Sequence, residues 1–119
     1  MSLTPAQIEN RLNELSQEID DAQAKLEEAE QVYNTTKAAY ELSMAKARIN
    51  LAAKSSPTGR NYTVAEREDL ALAQNELEHL AVASAEATVK IARANVARIR
   101  TQVDIARSIG TSIRTSMDL

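Results

Sequence analysis

This sequence has no cysteine, one histidine, two glycines, two prolines and three aromatic residues, all of them tyrosines. Without cysteine there is no disulfide, no thiolate–zinc site and no thiol nucleophile. The lone His79 has neither a second histidine nor a cysteine with which to share a metal. Glycine and proline punctuate a chain, so their scarcity leaves room for few turns. Large rings supply much of the burial of a globular core. With only Tyr33, Tyr40 and Tyr62, the apolar surface is expected to form a narrow seam, which favours helix-on-helix packing. No apolar run approaches the length of a membrane span, and Met1-Ser2-Leu3-Thr4-Pro5-Ala6 lacks the basic and apolar regions of a signal peptide. The expectation is a soluble cytoplasmic protein without a membrane partner.

What is abundant is Ala, Glu, Gln, Leu, Lys and Arg, the residues of long helices and coiled coils. A chain of 119 residues suits one domain. Its net charge of −3 conceals a block pattern. Residues 5–36 carry eight acids against two bases, and residues 37–67 carry two acids against six bases. Residues 68–86 hold five acids and no base, and residues 87–119 hold two acids and six bases. Such blocks say more about partners than the total does.

Thr4, Pro5 and Gln7 make a helix start: Thr4 can cap, Pro5 suits the first helical position, and Gln7 completes a capping box. Apolar residues then fall at Ile8, Leu12, Leu15, Ile19, Ala22, Leu26, Ala29 and Tyr33, continuing through Thr36 to Tyr40. Their alternating steps of four and three predict a coiled-coil seam. After Tyr40 the seam shifts by one residue to Met44, Ala47 and Leu51, a stutter that relaxes supercoiling. The first helix is expected over about 5–54. Pro57 and Gly59 place a turn at 55–62, and Thr63 with Glu66 forms a second capping box.

The second helix is expected over about 63–109 or beyond, with a polar tail. Its seam opens at Leu70, Ala73, Leu77 and Leu80, then changes phase to Val82, Ala85, Val89, Ala92, Val96, Ile99, Val103, Ala106 and Ile113. Gly110 falls where an apolar residue is wanted, so fraying or a helix end is expected near it. The predicted fold is all-α: a single long antiparallel hairpin over 1–119, each arm about 75 Å long at 1.5 Å per residue. Closing the chain at Gly59 sets opposite one another residues whose numbers sum to roughly 117.

Arg93, Arg100, Arg107 and Arg114 recur every seven residues beside the seam, where interhelical ion pairs usually form. Glu9, Glu14, Glu18 and Glu27 are the expected partners. A two-helix hairpin buries only one stripe per helix, which offsets backbone entropy poorly. The late apolar surface of helix two therefore predicts a homo-oligomer, with an interface drawn from Val89, Ile91, Val96, Ile99, Val103, Ile105, Ile109 and Ile113. The carboxylate pairs Asp20-Asp21 and Glu27-Glu28 lie on an exposed helix face with no neighbouring histidine, and no nucleophile elbow or phosphate loop is present. The chain is read as a non-enzyme without a cofactor or metal.

Lys46, Arg48, Lys54, Arg60 and Arg67 gather at the turn with few acids nearby, and Tyr62 sits beside them. Guanidinium and ammonium groups suit phosphates, and a ring can stack on an unpaired base. The stretch Met44-Ala45-Lys46-Ala47-Arg48-Ile49-Asn50-Leu51, followed by Gly59-Arg60, resembles the Leu-Lys-Ala-Arg-Leu-Asp-Tyr motif of the UvsY family, recombination mediators of tailed phages. Asn50 and Leu51 stand where that family has Asp and Tyr. Ile109-Gly110-Thr111-Ser112-Ile113-Arg114 and Met117-Asp118 are loosely similar to the family's Arg-Gly, aliphatic, Asp-Met ending. The resemblance implies an oligomeric single-stranded DNA-binding protein that helps load a recombinase, with a recombinase or single-strand-binding protein as partner and Lys46 and Arg48 on the DNA. The other expectation is a structural coiled-coil scaffold or adaptor that binds no nucleic acid.

Overall fold

The computed structural model describes residues 3–54 and 56–118. Met1, Ser2, Ser55 and Leu119, which the single-domain and turn readings include, lie outside the described residues. The architecture is all-α, with three helices: α1 (Pro5–Ala52), α2 (Val64–Gln74) and α3 (Glu76–Asp118). No strand forms among the described residues. None of the helices has a stretch long and apolar enough to cross a membrane among those residues.

Each predicted helix start is present. The Thr4 hydroxyl accepts from the Gln7 N–H at 3.2 Å while Gln7 Oε1 accepts from the Thr4 N–H at 2.8 Å, so two otherwise orphaned donors are satisfied. Thr63 and Glu66 repeat the arrangement at the start of α2, at 3.1 and 3.4 Å. Between α1 and α2 the Ser56 N–H donates to the Arg60 carbonyl at 2.7 Å and the Gly59 N–H to the Ser56 carbonyl at 2.9 Å. Gly59 has φ of 85°, in the region that side chains with a Cβ rarely adopt.

The second helix departs from expectation at Asn75, which divides it into α2 and α3. Asn75 has φ −115° and ψ 29°, its Nδ2 donates to the Ala71 carbonyl at 2.9 Å, and its N–H is shared between the Ala71 and Leu72 carbonyls. A short amide side chain that bonds back onto the preceding turn competes with the helix ladder. The expected end near Gly110 is also corrected, since α3 runs on to Asp118. A Cβ at Gly110 would lie 3.2 Å from Ile8 Cγ2, a tight contact that glycine avoids.

The chain divides into two compact units. The first combines Met1–Ala29 with Val89–Leu119. Its core is Leu15, Ala22, Val96, Ile99 and Ala106, against which Leu12, Ile19, Leu26 and Val103 pack. Ile8 meets Gly110, and Leu12 and Ile19 share a groove with Arg107, Val103 and Arg100, so rising numbers on one segment meet falling numbers on the other. Val89, Val96 and Ile99, expected at an oligomer interface, are buried inside the protomer. They are the α3 half of the seam and have no free surface to offer. Val103 and Ile113 are half-buried, whereas Ile91, Ile105 and Ile109 are exposed.

The second unit spans Glu30–Thr88. Met44, Ala47, Leu51 and Ala71 form its core, with Tyr40, Tyr62 and Leu70 packed on it. The stutter reading holds: Met44, Ala47 and Leu51 are all buried. The opening of the second seam does not, because Ala73, Leu77 and Leu80 are exposed while Ala71 and Asn75 are buried. Asn75 stands seven residues before Val82, in phase with Val89 and Val96. The stripe therefore keeps one phase from Asn75 onward, and the leucines lie off it.

Candidate functional site

The cations around the turn belong to the second unit, and carboxylates occupy two of them. Arg48 grips Glu68 with both arms, Nε to Oε1 at 2.7 Å and Nη2 to Oε2 at 3.1 Å. The hydrogen bond to Glu68, reinforced by its charge, holds the Arg48 guanidinium protonated more firmly than usual. Arg60 Nη2 lies 3.4 Å from Glu66 Oε1, the carboxylate that also caps α2. Tyr62 is half-buried on the Met44–Leu51 cluster, so its ring packs against the protein. Lys46 and Lys54 are exposed and Arg67 is half-buried; none of the three forms an ion pair among the described residues.

Two smaller aromatic contacts lie in the same unit. His79 sits at the seam edge with its ring 5.5 Å from that of Tyr40, and Lys37 Nζ lies 5.8 Å from the centre of Tyr33. Among the described residues no group of three or more His, Asp or Glu side chains converges on a point that could hold a metal ion.

The arginine row of α3 reverses the expected division of charge. Arg100, Arg107 and Arg114 are exposed and make no ion pair among the described residues, whereas Arg93 is engaged within the protomer. Glu14 and Glu18, two of the expected partners, are held by Arg11 on their own helix at 3.1 and 3.5 Å. Helical position explains the correction. With the seam of α1 at Leu12, Leu15 and Ile19, the side of α1 that faces the arginine row carries Glu9, Ser16 and Gln23. Glu14 and Glu18 point elsewhere. Ser16 accordingly shares a groove with Arg100 and Arg107, and Glu9 shares the next one with Arg107 and Arg114. The floor of these grooves is apolar, built from Ile8, Leu12, Ile19 and Val103.

On the other side of the first unit, Leu3, Ile8, Leu15, Ile105, Ala106 and Ile109 line an apolar groove. The side-chain oxygen of Gln102, which also lines it, is buried without a hydrogen-bond partner. Exposed apolar side chains are not confined to this unit, since Leu42, Ile49, Leu72, Leu77 and Leu80 are exposed in the other. Among the described residues twelve large apolar side chains are exposed and seven are buried. No protein family, curated protein or solved structure matches this chain.

Proposed function

We propose that the chain is a structural helical protein, a coiled-coil scaffold or adaptor whose arms α1 and α3 form a hairpin and which works as a homo-oligomer through contacts along them. The excess of exposed over buried large apolar side chains carries this reading. A helix pair with so thin a core gains from covering those side chains in an assembly. Ile91, Ile105 and Ile109 on α3, exposed by 71, 54 and 36 per cent, are the residues through which copies meet. The Ile105→Asp variant, measured by size-exclusion chromatography with light scattering, is expected to fall to a lower mass than the wild type while keeping its helical circular dichroism. A wild type that stays monomeric at high concentration would overturn the reading.

A second reading, single-stranded DNA binding by a recombination mediator, is favoured by Lys46 and Lys54, which are exposed and free of carboxylates among the described residues. The pairing of Arg48 and Arg60 with Glu68 and Glu66 weighs against it. Fluorescence anisotropy with a labelled oligonucleotide separates the two readings. DNA binding requires affinity that falls steeply with salt and that is lost in a Lys46→Ala/Lys54→Ala variant. The scaffold reading expects no binding even at low salt.

A further inference from the structure

Two rows of unpaired charge run along one edge of the first unit. On α3, Arg100 and Arg107 are about 10 Å apart at seven residues' separation. On α1, Glu9 shares a groove with Arg107, and Asp20 lies three turns further along the same side, one turn beyond Ser16, which shares the groove with Arg100. All four are exposed, and none forms an ion pair among the described residues. Between the rows lies the groove with Leu12, Ile19 and Val103 as its floor, all half-buried. Asp104, on the rim between the two arginines, pairs with neither. The edge is thus basic along one helix, acidic along the other and apolar between them.

A surface of that kind is complementary to itself. We propose that two copies of this chain dock edge to edge about a two-fold axis parallel to the helices, so that the arginine row of each lies on the acidic row of the other. A two-fold contact uses the same patch twice, and this axis is the one that sets unlike charges opposite; the perpendicular choice sets acid on acid and base on base. Ser16 and Arg100 share the groove, and Asp20 lies one turn from Ser16, so Arg100 meets Asp20 of the second copy near the centre of the contact. The covered apolar floor then completes a four-helix packing. The proposal rests on the self-association reading and adds to it a second contact, distinct from the Ile105 face and sensitive to salt.

Charge reversal tests it in sedimentation experiments on the full chain. Arg100→Glu/Arg107→Glu and Glu9→Lys/Asp20→Lys are each expected to weaken assembly at least about tenfold, because like charges then oppose. An equimolar mixture of the two variants, and a single chain carrying all four substitutions, are expected to restore it. Rescue by the mixture cannot come from a merely misfolded variant. The proposal is overturned if both double variants assemble like the wild type with unchanged salt dependence, or if mixing restores nothing. Should Ile105→Asp still dissociate the oligomer in that case, self-association through the other face stands and only the edge contact falls. A monomeric wild type removes both.

Discussion

Leu15→Ala is expected to destabilise the first unit by about 3 kcal/mol, the cost of removing a large side chain from a site that cannot collapse around the void. Among the described residues Leu15 is the most enclosed large side chain, at 1 per cent exposure, and it sits among Ala22, Val96, Ile99 and Ala106. Three features make the cost high. Its neighbours across the seam include an alanine, which cannot extend into the gap. The backbones are regular helices and have little freedom to move inward one residue at a time. The remaining core is thin, so a lost contact is a large share of the total. Urea denaturation followed by far-ultraviolet circular dichroism reads the effect as a lower midpoint. A loss below about 1 kcal/mol, typical of surface substitutions, would mean that Leu15 is not enclosed as described.

Ala71→Leu is expected to cost about 2 kcal/mol by the opposite mechanism, overpacking. Ala71 has no exposure at all and lies in the cluster of Met44, Ala47 and Leu51. Three added carbons have no vacant volume to enter. Either Met44 and Leu51 leave their preferred rotamers or α2 lifts from α1. Chain composition provides a separate probe for this unit, because Tyr33, Tyr40 and Tyr62 all fall within Glu30–Thr88. Tyr40 and Tyr62 pack directly on the affected cluster. Tyrosine fluorescence should therefore shift to a lower urea midpoint in Ala71→Leu. In Leu15→Ala the circular dichroism should lose stability first, ahead of the fluorescence. Coincident transitions in both variants would show that the two units unfold as one.

How much of this could be read beforehand depends on which rule was in command. The α1 seam from Ile8 to Leu51 was legible throughout, stutter included, because nothing competes with a regular apolar period on an uninterrupted helix. Both capping boxes were legible for a similar reason: they depend on neighbours three residues apart. Asn75 was not, because a periodicity search follows the large leucines at 77 and 80, whereas the fold buries the small Ala71 and a polar amide that satisfies its own bonds. Nothing in the size or polarity of Asn75 marks it as interior. Its separation of seven from Val82, Val89 and Val96 was the available signal.

The charge pairing was misread for a different reason. Proximity along the chain suggested that the turn cations were free and the α3 arginines neutralised, whereas the structure pairs Arg48 and Arg60 and leaves Arg100, Arg107 and Arg114 without partners among the described residues. Counting acids by block ignores which side of the helix they occupy. The rule that opposed residue numbers sum to about 117 already set Arg48 next to the Glu68-Asp69 pair. The same rule joined to the seam positions set Ser16 and Gln23, rather than Glu14 and Glu18, across from the arginine row.

Gly110 has a bearing on how this chain avoids folding into its own near-copies. Alanine-rich seams repeat every heptad and differ little from one repeat to the next, so two such helices could slide by seven residues and still bury a plausible stripe. The missing side chain at Gly110 is a notch, and the Ile8 methyl group is the tooth that fits it. Slide the helices by one repeat and Ile8 meets Val103 or Met117 instead, whose side chains occupy the space that Gly110 leaves open. One glycine at the far end of a repetitive pair thus works like the index mark on a vernier scale, telling an otherwise ambiguous pattern where zero lies.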